Sequence, residues 1–342
     1  MTRFTPDQVN AIPVHPASQG FDTHHLAVEK YSFQAPLQPA VSSIAFVWSH
    51  GTSFHKEMLH PLMKRFLDAL RRLPQYEQID LVFYAWDSRN HGDSARLNDG
   101  HVNTPGLRIM MMMIDTWIDH GMDTQQVVNA MGLKNKHNKV IGVAHSVGGT
   151  AMLLAEFMHP GTFDGVCVID PVMNIKPREK SKRGERFPLS AAILKRRDTW
   201  ESREACLQSL SSRAYWRKFL PEVLENYVNY GLYDAPDGTV KLKCPKEEEA
   251  LMYDCGTYGS VASLHSLRGM VVPVHVIHAS RSTFASKEII QQVKTSSSPL
   301  VTNTIVEASH LVPGENPDIL VPEIVSLVNR VVSSSTNHRA KL

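Results

Sequence analysis

Short runs of β-branched and aromatic residues alternate along this chain with longer stretches whose apolar positions recur at helical spacing. That alternation predicts an α/β fold, a mostly parallel sheet covered by helices on both faces. Strands are expected over 26–33, 44–49, 79–85, 140–144, 165–169, 272–277 and 302–307, and helices over 56–73, 109–120 with 125–131, 149–158 and 317–332. Each strand runs into a loop rich in Gly, Ser, Asp or His, at the carboxyl ends where open α/β sheets gather their chemistry. Between the strands at Gly165 and Val272 the alternation breaks, over a stretch too long for a loop. It is read as an inserted helical cap, 172–270, set in a core made of 1–171 and 271–332, with a polar flexible tail at 333–342. Helices are expected within the cap over 191–195, 203–210, 221–230 and 247–254. The charged run 176–186 mixes signs and reads as a solvated hinge, not a phosphate site. Met110 to Met113 reads as core filling, with an adaptable pocket wall as the other possibility.

Composition narrows the function classes. The 342 residues carry 36 Lys+Arg against 34 Asp+Glu, a net charge of +2, which gives no field to hold a polyanion and argues against a nucleic-acid binder. With 42% hydrophobic and 20% charged residues the chain reads as a soluble globular protein, and its apolar runs fall well short of the roughly 18 residues of a membrane helix. The first ten residues lack the apolar stretch of a secretory signal. Four cysteines, Cys167, Cys206, Cys244 and Cys255, stand far apart without a C-x-x-C, which suits reduced thiols better than disulfides or zinc.

The most informative segment runs from Val140 to Gly149, a buried strand leading into Ser146 and then a helix. A sharp strand-to-helix turn would lift the Ser146 hydroxyl above the sheet, provided the residues two before and two after are small. Gly148 fits, and Ala144 takes the place of the usual first glycine. The N–H of Val147 then forms half of an oxyanion hole. The loop His50-Gly51-Thr52-Ser53-Phe54 supplies the other half, with Thr52 the chosen donor and Ser53 next. His55 and His60 are spaced i, i+5, unlike the i, i+4 pair of a zinc helix. The base is expected after the last strand, at His310 in Ser309-His310-Leu311-Val312.

With Asp87-x-Arg89-x-His91-Gly92-x-Ser94 added, the ordered set His50-Gly51, Ala144-x-Ser146-x-Gly148 and Ser309-His310 resembles the α/β-hydrolase superfamily over residues 20–332. Asn90 to Ala95, Ile169 to Val172 and Ser309 to Val312 look like fungal peroxisomal lipases of that fold, and are similar to hydrolases of fungal host-selective toxin clusters. The resemblance implies a serine hydrolase of the lipase or carboxylesterase type, needing no cofactor, that cleaves an ester or thioester of an apolar, fatty-acyl-like substrate. Ser146 would attack and His310 would carry the proton. A toxin-pathway hydrolase, an acyl-CoA thioesterase, a carbon–carbon bond hydrolase and a silent binding protein stay open. Asp87, Arg89 and His91 would brace the sheet edge. Residues 200–230 of the cap are expected to cover Ser146.

A triad of this kind also takes an acid. Its usual place, after the strand that follows the cap, reads His278 to Phe284 and holds no Asp or Glu. Asp170 ends the preceding strand, 24 residues after Ser146, and is the candidate; Glu307 is its nearest competitor. Finally, Ala340-Lys341-Leu342 is a variant of the Ser-Lys-Leu address, which implies the peroxisomal matrix and an import receptor as partner.

Overall fold

The computed structural model describes residues 4–18, 24–99, 116–177, 187–296 and 298–339. Its strands are β1 (Gln8–Pro13), β2 (His25–Phe33), β3 (Ser42–Ser49), β4 (Ile79–Trp86), β5 (Lys139–His145), β6 (Gly165–Ile169), β7 (Thr199–Trp200), β8 (Leu232–Asp234), β9 (Val240–Leu242), β10 (Val274–Ala279) and β11 (Val301–Val306). The main sheet has the order β1-β2-β4-β3-β5-β6-β10-β11. β2 runs antiparallel to both neighbours, and every other pairing in this sheet is parallel.

Successive strand residues point to opposite faces, so a strand covered on both sides must be apolar throughout. Val47, Val140, Val166 and Val276 face the helices Thr116–Ala130, Val147–Met158 and Lys287–Lys294 through Val127, Leu153 and Val293. Their neighbours Phe46, Ile141, Cys167 and Ile277 face His60–Arg71 and Val321–Arg339 through Leu62, Phe66, Ile324 and Val328. Between β6 and β10 the chain leaves this sheet and builds the helices Pro188–Leu194, Arg203–Ser211, Pro221–Gly231, Lys246–Asp254 and Thr257–Ser266, with a small sheet in the order β7-β9-β8. Trp200, Trp216, Phe219 and Tyr227 of this insertion pack on Phe54 and Met58 after β3. Leu264 and Leu267 join the main core, so the end of the insertion is part of the body of the fold.

Several elements differ from the sequence reading. β1 is an edge strand in which Ile12 alone is buried, and the strands of the small sheet span only two or three residues, so none carries an alternating pattern. The stretch 56–73 opens as a 3-10 turn, Lys56–Leu59, and the α-helix starts at His60 with Pro61 in its first turn, where a missing N–H costs nothing. The last helix runs on to Arg339, through most of the stretch read as a flexible tail; no Gly or Pro interrupts 333–339. Met110 to Met113, most of the helix expected over 109–120, residues 178–186 of the charged run, and Ala340, Lys341 and Leu342 lie outside the described residues.

Beneath the loop after β3 sits a fully buried lysine. Lys56 Nζ lies 2.6 Å from Asp93, 2.8 Å from Glu57, 3.0 Å from Asp87 and 3.4 Å from Glu29. Burial alone would strip its proton, but these carboxylates hold its pKa well above the ordinary range. Asp87 also accepts the Lys56 N–H and the Asp93 N–H, both at 2.8 Å, and so ties the β3 loop to the β4 loop. Replacing one member of a buried ion cluster leaves its partners uncompensated, which costs about 3–5 kcal/mol. Lys56→Met is therefore expected to lower the unfolding free energy measured by urea denaturation by that amount; a loss under about 1 kcal/mol, the scale of an exposed pair, would contradict a cluster that holds these loops.

Candidate active site

β5 ends at His145, and Ser146 takes φ 56° and ψ −125° before the helix Val147–Met158 begins. Such a conformation is disfavoured for any residue with a Cβ and persists only where the surroundings fix it. Here the Ser146 N–H donates to Ile169 O at 3.0 Å, and its carbonyl accepts from Thr150 N at 3.1 Å. Gly148 is obligatory at this turn, because a Cβ there would lie 2.4 Å from His50 O. At the position of Ala144 a methyl is accommodated, fully buried.

Ser146 Oγ lies 2.8 Å from His310 Nε2, and His310 Nδ1 lies 2.6 Å from Asp170 Oδ2. A carboxylate only accepts, so Nδ1 carries the proton and Nε2 is left to accept from the serine hydroxyl. Asp170 ends β6 with φ +43° and is fully buried. Its other oxygen accepts the Ala279 N–H at 3.0 Å, so the end of β10 contributes a backbone donor where an acid was first sought. Burial pushes the Asp170 carboxyl up, but the hydrogen bond and charge of His310, with the Ala279 amide, hold it below its ordinary pKa. Glu307 is exposed instead and bonds Ser280 Oγ at 2.7 Å and Arg281. His310 is steadied on two further sides. Its carbonyl accepts from His145 Nε2 at 2.8 Å, and the Phe284 ring packs 4.5 Å from its own. Burial, with the neighbouring His310, lowers the His145 pKa to about 3, so that ring stays neutral.

Two backbone amides belong to segments that adjoin the serine. Val147 opens its helix, where an N–H has no partner within the helix. Thr52 sits in the loop after β3, and among the described residues its N–H has no hydrogen-bond acceptor. The Ser53 N–H is already committed to His91 Nε2 at 3.1 Å, which leaves Thr52 the better placed of the two sequence candidates. Gly51 approaches the serine so closely that a Cβ would stand 2.9 Å from Ser146 Cβ.

The other polar residues singled out in the sequence have structural partners. Arg89 pairs with Asp123 at 2.6 Å and donates to Ser18 Oγ, and Asp87 belongs to the Lys56 cluster. His50, His55 and His60 bond separately, to the Ser88 amide, Glu57 and Tyr31 Oη. Glu29, Glu57 and Asp93 bring oxygens within 4.8 Å of one another, but the cation between them is Lys56. Val147 groups with Trp117, Val172 and Met252, with Phe284 packed against them, making an apolar wall beside the serine. The insertion contributes Val172 and Met252 to that wall, and none of its members comes from 200–230. Phe219 and Val223 line a small pocket with Phe54, Met58, Gly51 and His145. Sequence reasoning missed Met252, Phe284 and His145; only His145, adjoining Ser146, stood where a signal was available.

Residues 46–323 match the model of the alpha/beta hydrolase family, and the chain belongs to that family. Over 215 residues it is 23% identical to the type I acyl-CoA thioesterase mpaH' of Penicillium brevicompactum, covering 63% of this chain and 46% of the relative. Over 270 residues it is 23% identical to the peroxisomal membrane protein LPX1 of Saccharomyces cerevisiae, covering 73% and 66%. The chain thus spans about half the length of the acyl-CoA thioesterases it matches. The solved structure of the peroxisomal alpha-beta-hydrolase Lpx1 from Saccharomyces cerevisiae is similar at a TM-score of 0.76 and 18% identity, over 98% of this chain and 91% of that one. A thioesterase domain from the curacin biosynthetic pathway is similar at 0.60 and 11%, over 93% and 100%. At such identities the structural likenesses speak for the fold alone. No helix among the described residues is long and apolar enough to cross a membrane.

If Asp170 orients His310, Asp170→Asn should keep the fold and its thermal midpoint while lowering kcat on an ester by on the order of a thousandfold. A folded Asn variant within about threefold of the parent would move the role elsewhere.

Proposed function

We propose that this alpha/beta hydrolase is a serine hydrolase that cleaves an ester or thioester of an apolar, fatty-acyl-like substrate. The observation that carries the reading is the chain of contacts from Ser146 Oγ through His310 to Asp170, on a strained turn beside two backbone amides. In this reading His310 Nε2 takes the hydroxyl proton as Ser146 attacks the acyl carbon. The Val147 and Thr52 N–H groups receive the charge that develops on the carbonyl oxygen. The tetrahedral intermediate collapses as His310 returns the proton to the leaving alcohol or thiol. Water, deprotonated by the same imidazole, then releases the acyl group from Ser146. No cofactor enters these steps.

The apolar wall of Trp117, Val147, Val172, Met252 and Phe284 supports an acyl substrate over a charged one. The acyl-CoA thioesterase named among the relatives keeps a thioester in view. A peroxisomal setting is proposed on the names of the Lpx1 relatives and on Ala340-Lys341-Leu342 as an address read by an import receptor. The rival is a binding protein that keeps the constellation without turnover.

A panel of p-nitrophenyl esters from acetate to dodecanoate, run beside the matching acyl-CoA thioesters, separates these readings. Turnover is expected to favour the longer acyl chains and to fall by roughly 10⁴-fold or more in Ser146→Ala. Folded protein that turns over none of them would leave the binding-protein reading. In cells, a fluorescent protein fused ahead of residue 1 is expected in peroxisomes, and in the cytosol once 340–342 are deleted. Unchanged peroxisomal fluorescence after that deletion would remove the tripeptide's role.

A further inference from the structure

Thr52 and Ser53 are the central pair of a turn closed by the Phe54 N–H on Gly51 O at 3.3 Å. Ser53 sits at φ +76°. A positive φ at this third position is the type II pattern, which ordinarily takes Gly or Asn, whereas a type I turn would suit a serine better. A residue in that conformation must be held there by its neighbours. Ser53 is held from two bodies of the structure. From the core, His91 Nε2 accepts the Ser53 N–H at 3.1 Å, while His91 Nδ1 bonds Asn90 Oδ1 at 2.7 Å. Burial keeps that imidazole neutral, so Nε2 stays an acceptor. From the insertion, Glu249 accepts the Ser53 hydroxyl, and Tyr253 Oη lies 3.1 Å from the same oxygen.

Glu249 is itself oriented. Its side chain is buried, Oε1 accepts from Arg196 Nη1 at 3.0 Å, and Oε2 accepts from Arg196 Nη2. Arg196 follows the helix Pro188–Leu194, and Glu249 and Tyr253 lie on Lys246–Asp254, so this anchor exists only while the inserted helices are docked. The residue immediately before the held serine is Thr52, whose amide is the proposed oxyanion donor.

We propose that Glu249 is a positioning residue. By holding the Ser53 hydroxyl it keeps the turn in its strained form and fixes the Thr52 amide in the direction the oxyanion requires, so docking of the insertion arms the site. This rests on the serine-hydrolase reading above. Without the anchor the turn relaxes toward negative φ at Ser53, and the amide loses its aim without any loss of the surface that binds the acyl chain.

Wild type, Ser53→Ala, Glu249→Ala and Glu249→Gln are compared for kcat and KM on p-nitrophenyl butyrate and for the Kd of phenylboronic acid, whose tetrahedral serine adduct mimics the oxyanion. Removing one oxyanion donor outright costs about 10²–10³ in rate. A misdirected donor is therefore expected to cost roughly 10-fold to 100-fold in kcat in Ser53→Ala and Glu249→Ala, with KM within about twofold and boronate affinity weakened in step with kcat. Glu249→Gln, which keeps an acceptor for the hydroxyl, should recover most of the loss. Ser53→Ala removes no charged group and leaves Glu249 paired with Arg196, which keeps the test valid if Glu249→Ala fails to fold. Ester turnover in wild type with kcat unchanged in Ser53→Ala, or a loss confined to KM, overturns the positioning role and leaves the hydrolase. Neither turnover nor boronate binding in wild type overturns both.

Discussion

The hydrogen bond between His310 and Asp170 joins residues 140 positions apart and is the constraint on which the geometry at Ser146 depends. A carboxylate that is wholly buried, as Asp170 is, needs its lone pairs filled to stay ionised. His310 fills one oxygen and the Ala279 amide the other. That requires the ends of β6 and β10 to be level, which their parallel register provides in pairing Ile169 with Ile277. The Asp170 N–H in turn reaches Ile277 O, and the Ser146 N–H reaches Ile169 O. Strained residues at the ends of β5 and β6 are thus stitched to each other by the sheet itself.

A second set of charges sets the height of the opposing loop. Lys56 and its carboxylates hold the end of the β3 loop against the start of the β4 loop, while His50 and His91 accept amides from those same loops. Both imidazoles are kept neutral, chiefly by burial, and can therefore accept. The residues first noticed as a motif, Asp87, Arg89 and His91, share one task in this arrangement: each satisfies backbone or charge on a neighbouring segment. On this floor Ser53 makes the polar contact with Glu249 of the insertion, beside the apolar contacts of Phe54 and Met58.

The parts of this design that were legible from the sequence are the local ones. The run from Val140 to Gly149 announces a buried strand, a sharp turn and a helix within ten residues, because apolar continuity and small side chains must coincide there. Asp170 could be reached by elimination, since the β10 end holds no acid, and His310 by its place after the last strand. What could not be read depends on distant partners. Glu249 stands 196 residues from Ser53, and nothing in Lys246–Asp254, an acidic helix start, marks one of its glutamates as buried. The expectation for 200–230 rested on the need to cover an apolar site above Ser146; its aromatics pack on Phe54 and Met58, and Phe219 and Val223 line a pocket beside Gly51 and His145. β1 and the small sheet were invisible for a simpler reason, since strands with one buried residue or of two to three residues impose no period.

The central claim is that Ser146 is made nucleophilic by His310 and lies open to an acyl-like electrophile. Treatment with an alkyl fluorophosphonate, followed by intact-mass measurement and peptide sequencing by mass spectrometry, tests it directly. One phosphonyl group per chain is expected, on Ser146, and none in Ser146→Ala. A group on any other residue, or no adduct on folded protein, would contradict it.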